Sequence, residues 1–351
     1  MGAFVYAGAA RWRAARNSDH KFGLFRLDTD VGEWEALRNG LPENVEVRHM
    51  AYSKAAPGTL YVGTQCGPYR SDDAGKSWTA LALPSENAVV WSLLPHPTDA
   101  NILYAGTENM GVFRSENAGK SWTQLPTPTP AGYCDIGFPC RTVRMALDPT
   151  SPDEVYVGLE VGGLICSLDG GETWTDRGDG LFRLAKEERP DLGNGKGNVV
   201  GMMDTHAVAC SAAAPGTVFF ANRLGIYRSD DKGETWRNID VGRFSEFTYT
   251  RDVQVSRHDP NVLFAALSIA AVSDAGSLYR SNDLGKSWSR FDHDVSVNST
   301  MMHIGQSAET PDRLYCGARR GQVFGTEDGG KSWRELPLPA DVEGLYAVAA
   351  A

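Results

Sequence analysis

Seven short stretches, spread along 351 residues, set chemically able side chains beside one another. They read EVRHM from Glu46, VVWSL from Val89, RTVRM from Arg141, DTHAV from Asp204, TRDV from Thr250, TMMHI from Thr300 and EGLYA from Glu343. Between them they carry Glu46, Arg48, His49, Trp91, Arg141, Arg144, Asp204, His206, Arg251, Asp252, His303, Glu343 and Tyr346. An arginine fork matches a carboxylate, sulfate or phosphate through two parallel hydrogen bonds. A histidine two residues from an aspartate, as His206 is from Asp204, suits acid–base catalysis near neutral pH, and His303, His49 and Tyr346 are further candidates for the same work. His49, His206 and His303, with Asp204 or Glu46, also form a chemically sensible divalent-metal set.

What must position these residues is a repeat. SDDAGKSW (71–78), SENAGKSW (115–122), SLDGGETW (167–174), SDDKGETW (229–236), SNDLGKSW (281–288) and TEDGGKSW (326–333) spell one turn six times, and LDTDVGEW (27–34) is a degenerate seventh. The acidic residue caps the turn by accepting backbone N–H groups, the glycine supplies positive φ, the hydroxyl satisfies the same turn, and the tryptophan buries a large ring between neighbouring units. Successive tryptophans, from Trp34 to Trp333, lie 44 to 62 residues apart, the length of four short antiparallel strands. Each unit shows them. An inner strand holds one of the seven stretches. A second is of the type TLYVGTQ, ILYAGTE, EVYVGLE, TVFFANR, VLFAALS or RLYCGAR, a third runs into the turn, and a short fourth follows the tryptophan.

This pattern resembles the Asp-box (bacterial neuraminidase repeat) β-propellers over essentially the whole chain. The resemblance implies an all-β, single seven-bladed ring with the repeated turns on the face opposite the usual binding face. The expected blades are 44–83, 87–126, 139–178, 199–239, 247–292 and 298–338, with a seventh made of 341–351 joined to 1–39. In that last blade EGLYAVAA is an inner strand lacking a blade, and AFVYAGAA, FGLFRLD and EWEAL are outer strands lacking an inner one, so their pairing closes the ring and removes an open sheet edge. Asp-box propellers include sialidases, xyloglucan-cleaving enzymes, sortilin-type receptors and photosystem assembly factors, so fold alone does not name an activity. Similarity to sialidases implies an arginine triad, for which Arg48, Arg144 and Arg251 stand, and a tyrosine–glutamate nucleophile pair, for which Tyr346 and Glu343 stand. The chain departs from sialidases in lacking an Arg-Ile-Pro segment near its N-terminus and in counting seven blades.

In such a ring the starts of the inner strands share one mouth with the second-strand exits Gln65, Glu108, Glu160, Arg223 and Arg319, and with the loop 10–22, which adds Arg11, Arg13, Arg16, Asp19 and His20. Arg48, Arg141, Arg144, Arg251, Asp252, Glu46, Trp91, Arg223 and Arg319 are the expected substrate contacts. The segments 126–140, 183–201 and 268–279 are expected as surface loops round the same face. His96 and His258 fall in turns at the far strand ends, and His293 in a surface stretch.

Net charge is −10, which speaks against nucleic acid or an anionic membrane as partner, so the arginines point to a small anion or glycan. No stretch reads as a secretory signal, and the expected location is cytoplasmic, with a monomer as the default state. Cys66, Cys166, Cys210 and Cys316 sit in apolar strand-like runs and read as core residues. Cys134 and Cys140 share the loop YCDIGFPC, as a local disulfide or as two free thiols, and a reducing compartment leaves them free. GNGKGN lacks the strand–helix setting of a phosphate loop, and no motif calls for a nicotinamide, flavin or nucleotide cofactor, leaving a divalent metal as the one candidate. Two functions follow: a hydrolase or lyase acting on a small carboxylate-, sulfate- or phosphate-bearing substrate or glycan at the channel mouth, or a non-catalytic propeller whose arginines dock an acidic partner.

Overall fold

The computed structural model describes residues 4–12, 19–85, 88–130, 139–189 and 204–351. Its strands form seven four-stranded antiparallel sheets, the blades of a propeller. The inner strands are Val47–Tyr52, Val90–Pro95, Thr142–Asp148, Thr205–Cys210, Tyr249–Val255, Met301–Gln306 and Leu345–Ala350, belonging to blades one to seven in turn. Blade seven is made from both ends of the chain, with Leu345–Ala350 pairing antiparallel to Phe4–Ala9. Phe4 and Ala351 exchange backbone hydrogen bonds of 3.2 and 2.9 Å, which fasten the ring.

The second strands of blades one, two, four and six are fully buried because a neighbouring blade covers each of their faces, so they read as near-continuous apolar runs, not as an alternation. Their recurring glycine has a steric cause. A Cβ at Gly106 would collide with the Thr142 side chain, and one at Gly158 with Thr205. Blade two thus abuts the inner strand of blade three, and blade three that of blade four, through backbones that only glycine lets approach so closely.

The repeated turns behave as their residues dictate. Asp73 Oδ1 accepts the Ser77 N–H at 2.9 Å, Ser77 Oγ donates to Asp73 Oδ2 at 2.6 Å, and Ser71 Oγ accepts the Gly75 N–H at 2.8 Å. The same set recurs around Asp169, Asp231, Asp283 and Asp328, and in blade two Asn117 takes the aspartate's place, accepting the Ser121 N–H through Oδ1 and donating from Nδ2 to Ser121 Oγ, both at 2.8 Å. The residue before the turn glycine is at positive φ in the six full copies, at 57° for Ala74, 58° for Ala118, 60° for Lys232, 56° for Leu284, and 73° and 74° for Gly170 and Gly329. Trp78 packs in one cluster with Tyr6, Leu24 and Leu37 of blade seven, so the tryptophan does join neighbouring blades.

Some expectations need correction. Residues 183–188 do not belong to a loop but end the helix Gly178–Glu188, which buries Leu181 and Ala185. Cys66 is no core residue: it is exposed in the tight turn between the second and third strands of blade one. Cys166 and Cys316 are buried as expected, and Cys210 partly so. Cys140 is a buried free thiol that burial pushes up to about 11. Cys134, Arg13 and Arg16, and most of the segments 126–140 and 183–201, lie outside the described residues. No helix among the described residues is long and apolar enough to cross a membrane.

Candidate functional site

Every inner strand breaks register with its neighbour at one equivalent place, and each break leaves one unpaired residue there: Arg48, Trp91, Val143, His206, Arg251, Met302 and Tyr346. A β-bulge bends its strand and re-aims the extra side chain. Here the bulges gather groups from separate blades. The Arg48 guanidinium lies 4.8 Å from the Trp91 ring centre and 5.2 Å from that of Tyr346, the two rings meet edge-on at 6.2 Å, and the Arg141 guanidinium covers Trp91 at 4.2 Å. Arg319 spans Tyr346 and Trp12 at 5.7 and 5.0 Å, and one of its Nη atoms lies 3.1 Å from Met302 Sδ.

Most arginines of this mouth already have carboxylate partners. Arg48 pairs with Glu46, whose other contact is the Arg11 N–H at 3.1 Å. Arg141 pairs with Glu160 at 2.9 Å and approaches Glu108 at 3.9 Å. Arg223 pairs with Asp204 at 2.6 Å. Arg251 is different: among the described residues it makes no ion pair or hydrogen bond through its side chain. Burial works against its charge, but Tyr249, Asp204, Tyr346 and Glu160 together raise its pKa, so it stays cationic.

Around Arg251 the acids are split. Burial pushes Glu160 up to about 7 against the pull of Arg141, Asp204 adds to the rise, and Glu160 Oε2 is buried with no hydrogen-bond partner. Burial would also raise Asp204, but His206 and Arg223 outweigh it and hold the group at about 2. His206 donates from Nδ1 to the Thr250 carbonyl at 2.7 Å, leaving Nε2 as the acceptor for the Tyr249 hydroxyl at 3.3 Å and 3.3 Å from Asp204 Oδ2. Burial lowers His206, so it is neutral near pH 7.

The other predicted residues part company with this group. His49, Arg144, Asp252 and His303 stand one step further along their strands and line a cavity of about 300 Å³ that runs toward the opposite end of the channel. Their polar atoms tie inner strands together. His49 Nδ1 accepts the Leu93 N–H at 3.2 Å, Asp252 accepts the Ile304 N–H at 3.0 Å, and His303 Nδ1 meets the Val348 carbonyl at 3.1 Å. The His49 and His303 rings lie 6.2 Å apart, whereas His206 belongs to the mouth, so the three histidines do not meet as a metal set. No group of three or more His, Cys, Asp or Glu able to hold a metal occurs among the described residues. Nor do the triad candidates converge: Arg48 is neutralised by Glu46, Arg144 faces the cavity, and only Arg251 stands open in the mouth. Tyr346 serves as a ring platform for Arg48 and Arg319.

Two members of the mouth escape a reading by residue type. A strand begun at Thr250 leaves out Tyr249, which is the true equivalent of Glu46, Arg141 and Asp204. Trp12 is buried over Arg319 by the segment 10–12, whose Ala10 N–H bonds the Gly344 carbonyl at 2.9 Å. Tyr249 had no mark of its own in the sequence, because the register that makes it equivalent to the others shows only in the strand pairing. Trp12 had none either.

No protein-family profile matches the chain, and no curated protein matches it in sequence. Solved structures do. The GH74 xyloglucanase from Xanthomonas campestris is similar over 88% of this chain at 20% identity and a TM-score of 0.63, with 47% of that enzyme covered. YCF48 from Cyanidioschyzon merolae is similar over 88% of this chain at 12% identity and 0.58, with 90% of that protein covered. YCF48 bound to D1 peptide is similar over 84% at 13% identity and 0.54, with 82% covered. The likeness is one of fold. The protein is a seven-bladed β-propeller with structural neighbours among GH74 enzymes and YCF48 proteins, and it spans about half the length of the GH74 enzymes it matches.

Proposed function

We propose that the mouth at the bulged ends of the inner strands is an active site for cleaving a small anionic substrate by hydrolysis or elimination. The observation that carries this is Arg251, a cation aimed into the mouth without a carboxylate of its own, beside one acid near 7 and another near 2. Pairs of titratable groups whose surroundings drive them apart mark acid and base roles. In this reading Arg251 holds the anionic group. Glu160, protonated, gives its proton to the leaving oxygen. Asp204, ionised and kept in place by Arg223, takes the proton from the attacking water in hydrolysis or from the substrate carbon in elimination. Arg223 fixes the position of Asp204 through two hydrogen bonds to Oδ2, Tyr249 holds the His206 ring, and Trp91 and Tyr346 offer ring faces to the substrate's body.

The test is turnover of nitrophenyl sulfate, phosphate and glucuronide by the full chain, alongside calorimetry with the free anions. Arg251→Gln is expected to raise KM at least tenfold, and Glu160→Gln to lower kcat by about 10²–10⁴ while binding persists. Absence of binding by every one of these anions removes the proposal.

A second reading has one observation in its favour. YCF48, one structure of which holds a peptide, is matched over 82–90% of its length, whereas the hydrolases are matched over less than half. On that reading Arg251 grips an acidic peptide and no chemistry follows. Binding lost in Arg251→Gln, with no turnover in the wild type, selects it.

A further inference from the structure

The cavity at the other end of the channel is built from residues that the mouth does not use. It is entered between the C-terminal halves of the inner strands, on the face where the repeated turns lie, and has a volume of about 300 Å³. At the roughly 30 Å³ that each water occupies in the liquid, that is space for about ten non-hydrogen atoms. Its inner end is formed by Arg144, its rim by Arg257, and part of its wall is apolar, from Tyr52, Leu94, Pro95 and Ala350.

The charges do not balance from within. Arg144 makes one hydrogen bond, to the Val143 carbonyl at 2.7 Å, and its Nε is buried without a partner. Asp252 is the carboxylate nearest to hand, and its Oδ2 is already shared by the Ile304 N–H at 3.0 Å and the Gln254 amide at 2.8 Å. Gln254 is itself held by the Gln306 amide at 2.9 Å, so the carboxylate sits in a chain of hydrogen bonds that keeps it on the wall. Arg257 rests its guanidinium 5.7 Å from the centre of the Tyr52 ring, on a blade across the axis, and has no carboxylate partner among the described residues. Its backbone N–H is fixed by Gln306 Oε1 at 2.9 Å. Burial, with the charge of Arg251 adding to it and Asp252 opposing, lowers Arg144 to about 10, as expected for a cation lacking its counter-ion. A desolvated charge without a partner is costly, and a water-filled pore alone gives no reason for two guanidiniums and an engaged carboxylate to face one space.

We propose that this cavity is a second binding site, for a small molecule of about ten non-hydrogen atoms bearing an oxyanion, held by Arg144 at the inner end and Arg257 at the rim with its apolar part against Tyr52 and Pro95. Carboxylate and phosphate present the same paired oxygens to a guanidinium, and the test separates them. The site is independent of the chemistry assigned to the mouth and stands if that assignment fails.

Calorimetry on the full chain with succinate, butyrate and inorganic phosphate, each up to 10 mM, tests it. One of the three is expected to bind with one-to-one stoichiometry. Arg257→Ala is expected to weaken that binding at least tenfold and Arg144→Gln to abolish it, while both variants still melt cooperatively. Binding is expected to survive Arg251→Gln, which empties the mouth of its open cation. Preference for succinate or butyrate over phosphate assigns a carboxylate ligand, and the reverse assigns a phosphate. The proposal is overturned if none of the three binds, or if binding is lost in Arg251→Gln and unchanged in Arg257→Ala.

Discussion

At the scale of single residues, Glu160 and Asp204 show how position decides chemistry. Both are acids at the same mouth, one enclosed with an unsatisfied oxygen, the other gripped by Arg223, and they come to rest near 7 and near 2. If Glu160 is the proton donor, kcat falls as pH rises through about 7, and a pH–rate profile that stays flat to pH 9 removes it from that role. Stability carries the same signature. The folded pKa of Glu160 lies above its ordinary 4.5, so its contribution is fully present below 4.5 and is lost as pH rises through about 7. Glu160→Gln is therefore expected to raise Tm by about 2–5 °C at pH 8 and to leave it unchanged at pH 4, as read by calorimetry. Arg251 and Asp204 could be named from the sequence because they sit in a recurring strand. The raised state of Glu160 could not, since it comes from what other blades bring around it.

At the scale of the element, the repeated turn is a local device whose residues suffice to explain it. Asp73, Asp169 and Asp328 are held at about 2 by hydrogen bonds from the Ser or Thr four residues on. Because these folded pKa values lie below the ordinary 3.8, their contribution is present above 3.8 and is lost as pH falls through about 2. Asp73→Ala is expected to lower Tm by about 2–4 °C at pH 7 and by much less at pH 2, in paired melts. The left-handed residue before the glycine gives an opposite expectation. Ala118 pays for φ 58° with steric strain that glycine does not feel, so Ala118→Gly is expected to raise Tm by about 1–3 °C, and a fall of that size would refute the strain argument. The bulge, by contrast, had no sequence mark. Arg, Trp, Val, His, Arg, Met and Tyr occupy its seven copies, and what they share is register with the second strand.

At the scale of the whole molecule, stability depends on the ring being shut. The inner strand of blade seven comes from the last residues of the chain, and Leu345 and Val348 share one core cluster with Val5 and Ala7 from the first. Val348 also takes the hydrogen bond of His303, which binds blade seven to blade six. Deleting residues 345–351 removes that strand and leaves Phe4–Ala9 as an open edge. The expected outcome is loss of cooperative melting or edge-to-edge association seen by light scattering. A monomer melting at the wild-type temperature would show that closure is dispensable.

Sequence alone determined the architecture, because a turn of eight residues and a strand of five carry their instructions locally, and seven copies of each leave one way to arrange them. It also supplied the residue types that face the axis. Tertiary structure alone decided how those residues divide: Arg48, Arg141 and Arg223 spent on carboxylates, Arg251 open at the mouth, and Arg144 with His49, Asp252 and His303 turned into a separate cavity. The physical reason is that charge balance, desolvation and strand register are properties of neighbours brought together from blades up to 300 residues apart in the chain, as His49 and His303 are apart by about 250.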